Sequence, residues 1–550
     1  MQASDSRRRL GVLTRGSLAK GVEVKLDAGR PIESVRAGTF CVIEGERMDF
    51  FALITDLEID AANEAILLHP PGPGDELLRR VLQSGSATYA TAQLRPQLVI
   101  PREDLNAEPL TVKTIPGHFS AVGEATDEDV ARVFKSEATD PERYFEVGTP
   151  VGMDGVPVCL DLQRFVERSN AVFGKTGTGK SFLTRLLLAG AMRAQKGVAL
   201  VFDMHGEYGR GRRDEEGRIA PGLADVFGAG VQVVTLDPAS MRQRKQSFDA
   251  SIELYADQIE PADILPLQKT LDLNRTASES AELLQREYKS RWLATLLNAT
   301  GTELAEIAER IGANENSLGA LRRKLSRFTK YGFFHTDSMQ GKEDRITQVF
   351  EALDRGRSVV LDFGRYRSRE VYLLVANVLA RRLRSIYERK VNEHEADPEN
   401  VEPPRQLLVV VEEAHHFLSP EVASETPFGK IAREMRKFYV SLLVVDQRPS
   451  GIDEEVLSQI GTKFVAQLSD EKDIAASLVG TPGASGLRQI LASLDSKQQV
   501  LLLGHAVPMP ITLTTRTWDQ DLARTLRESV PGAEVSGSAE TQQQVLAELF

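Results

Sequence analysis

The chain has 550 residues, of which 41% are hydrophobic and 27% are charged, and its formal net charge is -12. This composition excludes wholesale disorder, and the length is too great for one compact core, so we expect roughly two to four domains. The negative net charge argues against a protein that coats nucleic acid over its whole surface, although it leaves room for a locally basic channel.

The sequence carries no membrane or export signal. No window approaches the ~20 uninterrupted apolar residues of a membrane-spanning helix, and the polar segment Met1 to Leu10 is not followed by an apolar run. We therefore expect a cytoplasmic protein that does not bind a membrane. Cys41 and Cys159 lie in apolar, strand-like segments rather than at metal-binding spacings, so we expect both to be buried thiols.

The first predicted domain is a small β-barrel or sandwich over residues 1–105. Short apolar runs separated by glycine and proline turns favour strands in this region. The predicted strands are Val22–Leu26, Thr39–Ile43, Phe50–Leu57, Ala65–His69 and Ala87–Leu94. A polar, proline-containing connector is assigned to residues 106–147.

The rest of the chain is predicted to be α/β. Continuous apolar runs alternate with helical patterns, which is typical of a parallel sheet covered on both faces. These runs are Val198–Phe202, Val231–Leu236, Ser358–Leu361, Leu407–Val411, Ser441–Val445, Phe464–Leu468 and Val500–Leu503. The core is assigned to residues 148–246 and 346–517, with a helical insertion over 247–345 between them and a C-terminal tail over 518–550.

A phosphate-binding loop occupies Gly174 to Ser181 and reads Gly-Lys-Thr-Gly-Thr-Gly-Lys-Ser. It follows a strand and precedes a helical pattern, which is the context that this motif requires. Backbone N–H groups and the helix N-terminus favour the phosphates of ATP, Lys180 is expected to reach the β and γ phosphates, and Ser181 to bind Mg²⁺. The predicted nucleotide-binding residues are Gly174, Lys175, Thr176, Gly177, Thr178, Gly179, Lys180, Ser181 and Phe182.

Two carboxylates follow the apolar run Leu407–Val411. Hydrolysis needs a carboxylate that polarises water, and ligands gather at the C-terminal ends of such strands. We assign Glu413 as the general base and Glu412 as the residue that holds the Mg²⁺-bound water. Gln447, at the end of another strand, has the amide needed to sense a γ-phosphate or orient water, and capping of the following turn is its alternative role.

Further polar residues lie close to these motifs. The segment Asp203 to Tyr208 follows a third strand and is expected to line the same crevice. Arg433 and Arg436 are candidates for an arginine that acts across a subunit boundary, and an exposed helix face with balanced charges is the alternative interpretation. His415 and His416 are adjacent, so we do not expect both to face one metal ion.

Together these motifs resemble the HerA family of the HerA/FtsK ATPase superfamily. The resemblance covers about Gly11 to Trp518 and depends on the order and spacing of several segments besides the phosphate-binding loop. These segments are Asp203 to Tyr208, Glu412 to Phe417, Ala432 to Lys437, Asp446 to Ser450, Leu457 to Lys463, and Gly504 followed by Pro508 to Pro510. Two positions depart from the family pattern: Glu412 stands where relatives usually have Asp, and Met435 where many have Gly.

The resemblance implies a RecA-like P-loop ATPase core with an N-terminal barrel like that of ATP synthase subunits. It implies a homo-hexameric ring that uses ATP and Mg²⁺ to thread double-stranded DNA, without sequence preference, through a central channel. It also implies a partner, either a NurA-like nuclease in DNA end resection or an effector in antiphage defence. Lys180, Ser181, Glu413 and Gln447 would take the nucleotide roles given above, and an arginine between Arg433 and Arg436 would act in trans.

Three basic segments are candidates for DNA contact, and we expect about one of them to bind phosphates. They are Arg210, Arg212 and Arg213; Arg322 to Arg327, beside an apolar stripe of Leu318, Leu321, Leu325 and Phe328; and Arg365, Arg367 and Arg369. Two other functions stay open: a nucleotide-gated ring scaffold that assembles and activates an effector enzyme, and a protein-translocating ATPase. The barrel is the expected docking platform for a partner.

Overall fold

The computed structural model describes residues 7–529 apart from 29, 69, 83–86, 105–106, 154, 214–218, 425 and 496–497. The chain divides into two compact units. The first comprises Met1–Leu187, Tyr387–Asn392 and Leu408–Arg516, and the second comprises Leu188–Ile386, Glu393–Leu407 and Thr517–Phe550. Within the described ranges, the helices are too short or too polar to span a lipid bilayer.

The first unit begins with a closed β-barrel, as predicted. Its antiparallel strands follow one another around the barrel as Gly21–Leu26, Arg9–Ser17, Ala121–Glu124, Phe40–Glu44, Met48–Ala61 and Thr88–Pro101. The ring closes because Gly21–Leu26 pairs again with Thr88–Pro101, for example Val22 with Leu94. Leu110–Thr111 adds a short strand at the edge of Thr88–Pro101. Alternating residues fill the interior, including Val24, Cys41, Ile43, Ala52 and Ile54.

Two predictions for the barrel region are wrong: where the barrel ends, and the strand Ala65–His69. The barrel does not end at residue 105, because Ala121–Glu124, which the sequence assigned to the connector, supplies the strand between Arg9–Ser17 and Phe40–Glu44. Closure removes exposed strand edges, which explains the late return of the chain. The predicted strand Ala65–His69 is instead the helix Glu64–Leu68, since the side chain of Asn63 accepts a hydrogen bond from the N–H of Ala65 and starts a helical turn.

The sheet of the first unit lies C-terminal to the barrel. Its strand order is Leu407–Glu412, Val440–Asp446, Asn170–Phe173, Thr462–Ala466, Gln499–Gly504, Ile511–Thr515, Tyr144–Pro150 and Val158–Asp161. Asn170–Phe173 is parallel to both of its neighbours. The unit's helices are Glu64–Leu68, Glu76–Leu82, Asp127–Phe134, Leu162–Val166, His415–Leu418, Pro427–Glu434, Glu454–Gln459, Glu471–Ser477 and Ala484–Ala492, and Lys180–Arg193 begins in it.

The predicted parallel sheet is confirmed for only part of this unit. Gln499–Gly504, Ile511–Thr515, Tyr144–Pro150 and Val158–Asp161 pair in antiparallel fashion. The strand predicted over Phe464–Leu468 begins earlier, at Thr462. The prediction missed its first two residues because Thr462 and Lys463 are polar, although both are buried. Cys41 and Cys159 are both buried thiols, which confirms that prediction.

The second unit contains four parallel strands in the order Ala250–Ser251, Val231–Thr235, Ser358–Asp362 and Val198–Asp203. Its helices are Leu223–Phe227, Pro238–Gln243, Pro261–Ile264, Gln268–Leu271, Arg275–Tyr288, Trp292–Asn298, Gly301–Ile311, Glu315–Leu325, Arg345–Asp354, Arg369–Ala396 and Gln520–Ser529. Short ribbons pair Arg212–Arg213 with Ile219–Ala220, and Leu254–Tyr255 with Phe334–His335.

The insertion over residues 247–345 is helical, as predicted, apart from its short strands near both ends. The predicted apolar stripe is buried, since Leu318, Leu321, Leu325 and Phe328 are each at most 1% exposed. Of the predicted tail, the segment to Ser529 forms a helix and residues 530–550 lie outside the described residues.

Candidate nucleotide site

The phosphate-binding loop connects Asn170–Phe173 to the helix Lys180–Arg193. Its start is fixed by neighbouring backbone, because the N–H of Gly174 donates to the carbonyl of Asp446 (3.2 Å) and the N–H of Lys175 donates to that of Gln467 (3.1 Å). Gly177 and Gly179 have φ values of +82° and +89°, and the space where a Cβ would stand is open at both. The loop therefore forms an uncovered backbone cradle that only glycine at these positions forms without strain.

Lys180 and Ser181 begin the helix that follows the loop. The Lys180 Nζ atom donates to the carbonyl of Lys175 (3.0 Å), so the ammonium lies over the cradle. Phe182 is 37% exposed, and the Arg185 guanidinium lies 4.6 Å from the centre of its ring. Sequence reasoning missed Arg185, a buried arginine whose Nε also approaches the Ser181 carbonyl (3.4 Å).

A chain of side-chain hydrogen bonds connects the phosphate-binding loop to the proposed general base. The Thr176 hydroxyl donates to Gln447 Oε1 (2.6 Å), and Gln447 Nε2 donates to Glu413 Oε1 (2.9 Å). Gln447 thus bonds to the loop and to the carboxylate at once, rather than capping its own turn. Glu412, the last residue of Leu407–Glu412, is buried at 6% exposure.

The backbone of Glu413 is strained. Its φ is +46°, which places a non-glycine residue without a short polar side chain in the left-handed region. Such conformations cost of order 1–3 kcal/mol and concentrate at functional sites, where the surrounding structure holds them. The strain turns Glu413 out of the strand direction, so that its carboxylate meets Gln447.

Of the two adjacent histidines, only His415 lies with the carboxylates of Glu413 and Asp446. Potential ligand atoms of Glu413, His415 and Asp446 lie within 4.8 Å of one another. The buried Asp446 carboxylate already accepts from the N–H of His415 (2.7 Å), from the His415 ring (3.0 Å) and from the N–H of Arg448 (2.7 Å). These contacts use the oxygens that a metal ion would need, so we interpret His415 and Asp446 as residues that position the Glu413 turn.

The two candidate trans-acting arginines differ in their surroundings. Arg433 donates to the Ala423 carbonyl (3.1 Å) and pairs with Glu455 (3.4 Å), so its own subunit holds it. Arg436 is exposed and lies before the strand Val440–Asp446, at its amino end. That seven-residue strand is about 20 Å long at ~3.3 Å per residue. Arg436 and the phosphate-binding loop therefore lie at opposite edges of these parallel strands.

More positive charge lies at the amino edge with Arg436. Burial lowers the pKa of His505, and the nearby charges of Arg168 and Arg164 lower it further, with a contribution from Arg436. The Nε atom of Arg168 is buried without a hydrogen-bond partner among the described residues. Sequence reasoning missed Arg168, although its place two residues before the strand Asn170–Phe173 could have indicated it.

Asp203, in the second unit, stabilises the turn formed by the segment Asp203 to Tyr208. Its carboxylate accepts from the N–H groups of Glu207 (2.8 Å) and Tyr208 (2.9 Å). Burial raises the pKa of Asp203 to about 6, against the effect of these hydrogen bonds. The observed contacts give this segment a structural role, and its predicted place beside the nucleotide stays a prediction.

Comparison with known proteins agrees with this geometry. The sequence profile of the family "Helicase HerA, central domain" matches residues 145–383. A curated relative from Saccharolobus solfataricus, "DNA double-strand break repair helicase HerA", is 25% identical over 495 residues, which cover 89% of this chain and 88% of the relative. A protein of the same name from Pyrococcus furiosus is 25% identical over 392 residues, covering 66% of this chain and 68% of the relative.

Among solved structures, VirB4 of Thermoanaerobacter pseudethanolicus is similar, with 17% identity and a TM-score of 0.42 over 68% of this chain and 96% of that chain. The phosphate cradle, the matched profile and the HerA relatives define the protein as an ATP-hydrolysing P-loop enzyme. Residues 145–383 thus match the HerA central-domain profile, and the chain is similar over 66% to 89% of its length to curated HerA proteins.

Proposed function

We propose that this protein is an ATP-driven double-stranded DNA translocase that works as a homo-hexamer with a partner nuclease or defence effector. The observation that carries the proposal is the bonded chain from Thr176 through Gln447 to Glu413, because it couples the phosphate-binding loop to the residue that would activate water. The proposed action on DNA is supported by the relatives, whose names describe helicases of DNA double-strand break repair.

The residues at the loop suit ATP with Mg²⁺. The open cradle at Gly177 and Gly179 fits phosphate oxygens, and the hydroxyl of Ser181 and the carboxylate of Glu412 are the hard oxygen donors that Mg²⁺ prefers. When bound, Mg²⁺ would neutralise charge on the β and γ phosphates. Lys180 would add its charge beside it.

Glu413 would act as the general base. Its carboxylate accepts a proton from the attacking water, and the Gln447 amide, already bonded to it, orients that water through its second polar atom. The oxygens of a γ-phosphate on the loop accept hydrogen bonds, so they would compete with Glu413 for the Gln447 Nε2 donor. Bound ATP would in this way change the partner of Gln447 and leave the Glu413 carboxylate able to accept a proton from water.

An oligomer is supported by the position of Arg436. Because the length of Val440–Asp446 separates Arg436 from its own loop, a role in the reaction requires a neighbouring subunit. Arg168 adds positive charge near His505 at the same edge. We propose Arg436 as the trans-acting arginine and Arg168 as a cation that acts beside it.

A partner-binding role for the barrel is supported by exposed apolar side chains in one segment between two barrel strands. Leu68 is 75% exposed, Leu77 is 82% exposed and Val81 is 59% exposed, and Ile59, at 80%, ends the preceding strand. If these side chains form one contiguous patch, it would suit an interaction surface. The effector or nuclease would dock here.

The proposal is tested by steady-state ATP hydrolysis with and without linear duplex DNA, with Lys180→Ala and Glu413→Gln as controls. Stimulation by DNA that both substitutions abolish is the expected result. Hydrolysis that ignores DNA but responds to a protein partner would replace the translocase with the nucleotide-gated scaffold. For the partner, Leu77→Ser with Val81→Ser should abolish copurification and leave hydrolysis intact, whereas unchanged copurification would exclude the barrel surface.

A further inference from the structure

Two basic segments that are distant in sequence meet in the second unit. The Tyr366 ring lies 5.3 Å from the ring of Tyr331 and 5.3 Å from that of Phe333. The hydroxyls of Tyr331 and Ser368 are 3.3 Å apart. The loop 365–369, which follows the strand Ser358–Asp362, therefore packs on the end of the insertion, and the arginines of both segments share one surface.

The cations of this surface point to solvent. Arg327, Lys330, Arg367 and Arg369 are exposed, and the Lys330 ammonium lies 4.9 Å from the centre of the Tyr331 ring. Arg365 is 61% exposed even though it forms two hydrogen bonds (2.8 and 3.2 Å) with a buried aspartate. We name Arg327, Lys330, Arg367 and Arg369, together with the Tyr331 and Tyr366 rings, the basic-aromatic surface.

The loop is held firmly enough to keep its arginines in place. Asp237 anchors it from below, because its carboxylate accepts from both the N–H and the side chain of Arg365. The Arg367 side chain approaches the Gly364 carbonyl (3.4 Å). Cations fixed in this way lose little conformational entropy when they contact an anion.

The other basic candidates are used by the fold itself. Arg210 donates to the Ser247 carbonyl and pairs with Asp225, and Arg212 donates to the His205 carbonyl. In the insertion, Arg322 donates to the Ala299 carbonyl (2.5 Å) and Lys324 pairs with Asp272 (3.3 Å). Contacts of this kind occupy Arg210, Arg212, Arg322 and Lys324, whereas Arg327, Arg367 and Arg369 are exposed.

We propose that the basic-aromatic surface contacts the phosphates of duplex DNA. The inference rests on the proposed translocase function and assigns the DNA contact to named residues of the second unit. Guanidinium and ammonium groups bind phosphate without reading bases, which suits a motor that moves along any sequence. Each contact that neutralises a phosphate contributes about 0.9 to the slope of log K against log salt concentration.

The test is binding of a fluorescein-labelled linear duplex, followed by anisotropy over a series of KCl concentrations. The variant is Arg327→Gln, Lys330→Gln and Arg367→Gln combined, which leaves Arg365 on its aspartate. The control is Arg286→Gln, Arg310→Gln and Arg355→Gln combined, because these exposed arginines of the same unit give the same change in net charge. A single Arg367→Gln variant covers the case in which the triple variant fails to fold.

We expect the triple variant to lose about 2 to 3 from the salt slope, the single variant to lose about 1, and the control to match the wild type. ATP hydrolysis without DNA should be unchanged in all of them. If wild-type protein binds DNA and the triple variant keeps the slope of the control, the inference is wrong and the translocase proposal stands. If wild-type protein does not bind duplex DNA, both fail together.

Discussion

The strained backbone of Glu413 gives a prediction whose sign is unusual. At most positions, alanine is more stable than glycine by ~0.5–1 kcal/mol, because glycine loses more backbone entropy on folding. At residue 413, where φ is +46°, a Cβ costs about 1–2 kcal/mol that glycine does not incur. Both substitutions remove the hydrogen bond with Gln447 equally. Glu413→Gly should therefore be more stable than Glu413→Ala by about 1 kcal/mol.

The comparison needs a position with an ordinary backbone as its control. Glu282 is exposed within the helix Arg275–Tyr288, so Glu282→Ala should be more stable than Glu282→Gly by about 1 kcal/mol. Thermal midpoints of the four variants, measured at one protein concentration without nucleotide, should differ by roughly 1–2 °C with opposite signs at the two positions. Both Glu413 variants should lack ATP hydrolysis.

If Glu413→Ala is as stable as Glu413→Gly, while the Glu282 pair behaves normally, then residue 413 is not strained and the orientation of its carboxylate has another cause. The wild type stores this strain in a state ready for catalysis, which is a familiar exchange of stability for activity. Glu413→Gln would separate the two effects, since it keeps the backbone cost and removes only the base.

Three further outcomes follow from the first unit. Burial lowers the pKa of Lys463 from 10.5 to about 8, so burying its charged form costs about 3 kcal/mol of folding stability below pH 8 and nothing above pH 10.5. In denaturant titrations, the wild type should therefore gain stability relative to Lys463→Met as the pH rises from 8 to 10.5. Arg436→Ala should lower kcat by about 1,000-fold, restored in part by mixing with Lys180→Ala subunits, whereas Arg433→Ala should mainly lower the thermal midpoint. Thr176→Val should lower kcat by about tenfold without changing the affinity for ATP. An unchanged rate of hydrolysis in a single-turnover assay would exclude a role for the hydrogen bonds from Thr176 through Gln447 to Glu413.

Much of this fold could be predicted because buried strands leave long apolar runs. The runs around Val198, Ser358 and Leu407 became strands within one or two residues of their predicted ends. The antiparallel strands Tyr144–Pro150 and Ile511–Thr515 could not be found in the same way, since partly exposed, polar positions interrupt their apolar pattern. The strand Ala121–Glu124 was missed because it forms to close the barrel, and closure depends on distant strands rather than on the sequence of these four residues.

The candidate site was predictable to the extent that its chemistry requires fixed spacing. Gly174 to Ser181 folds locally, so its sequence determines its shape. The bond between Gln447 and Glu413 joins residues 34 positions apart, and only the order of strands brings them together. Positive φ at Glu413 has no sequence signal, because the residue type that catalysis requires there is not the one that the backbone conformation favours.

The parallel strands of the first unit also constrain how subunits assemble. The phosphate-binding loop lies at the carboxyl edge of Asn170–Phe173 and Val440–Asp446, and Arg436 lies at the amino edge. If Arg436 completes a neighbour's site through contact of the amino edge of one subunit with the carboxyl edge of the next, the interface is heterologous. Heterologous contacts of this kind leave one unused site and one unused arginine in every open chain of subunits, and only closure into a ring completes them all. With heterologous interfaces, ATP hydrolysis in trans therefore favours a closed ring over an open chain.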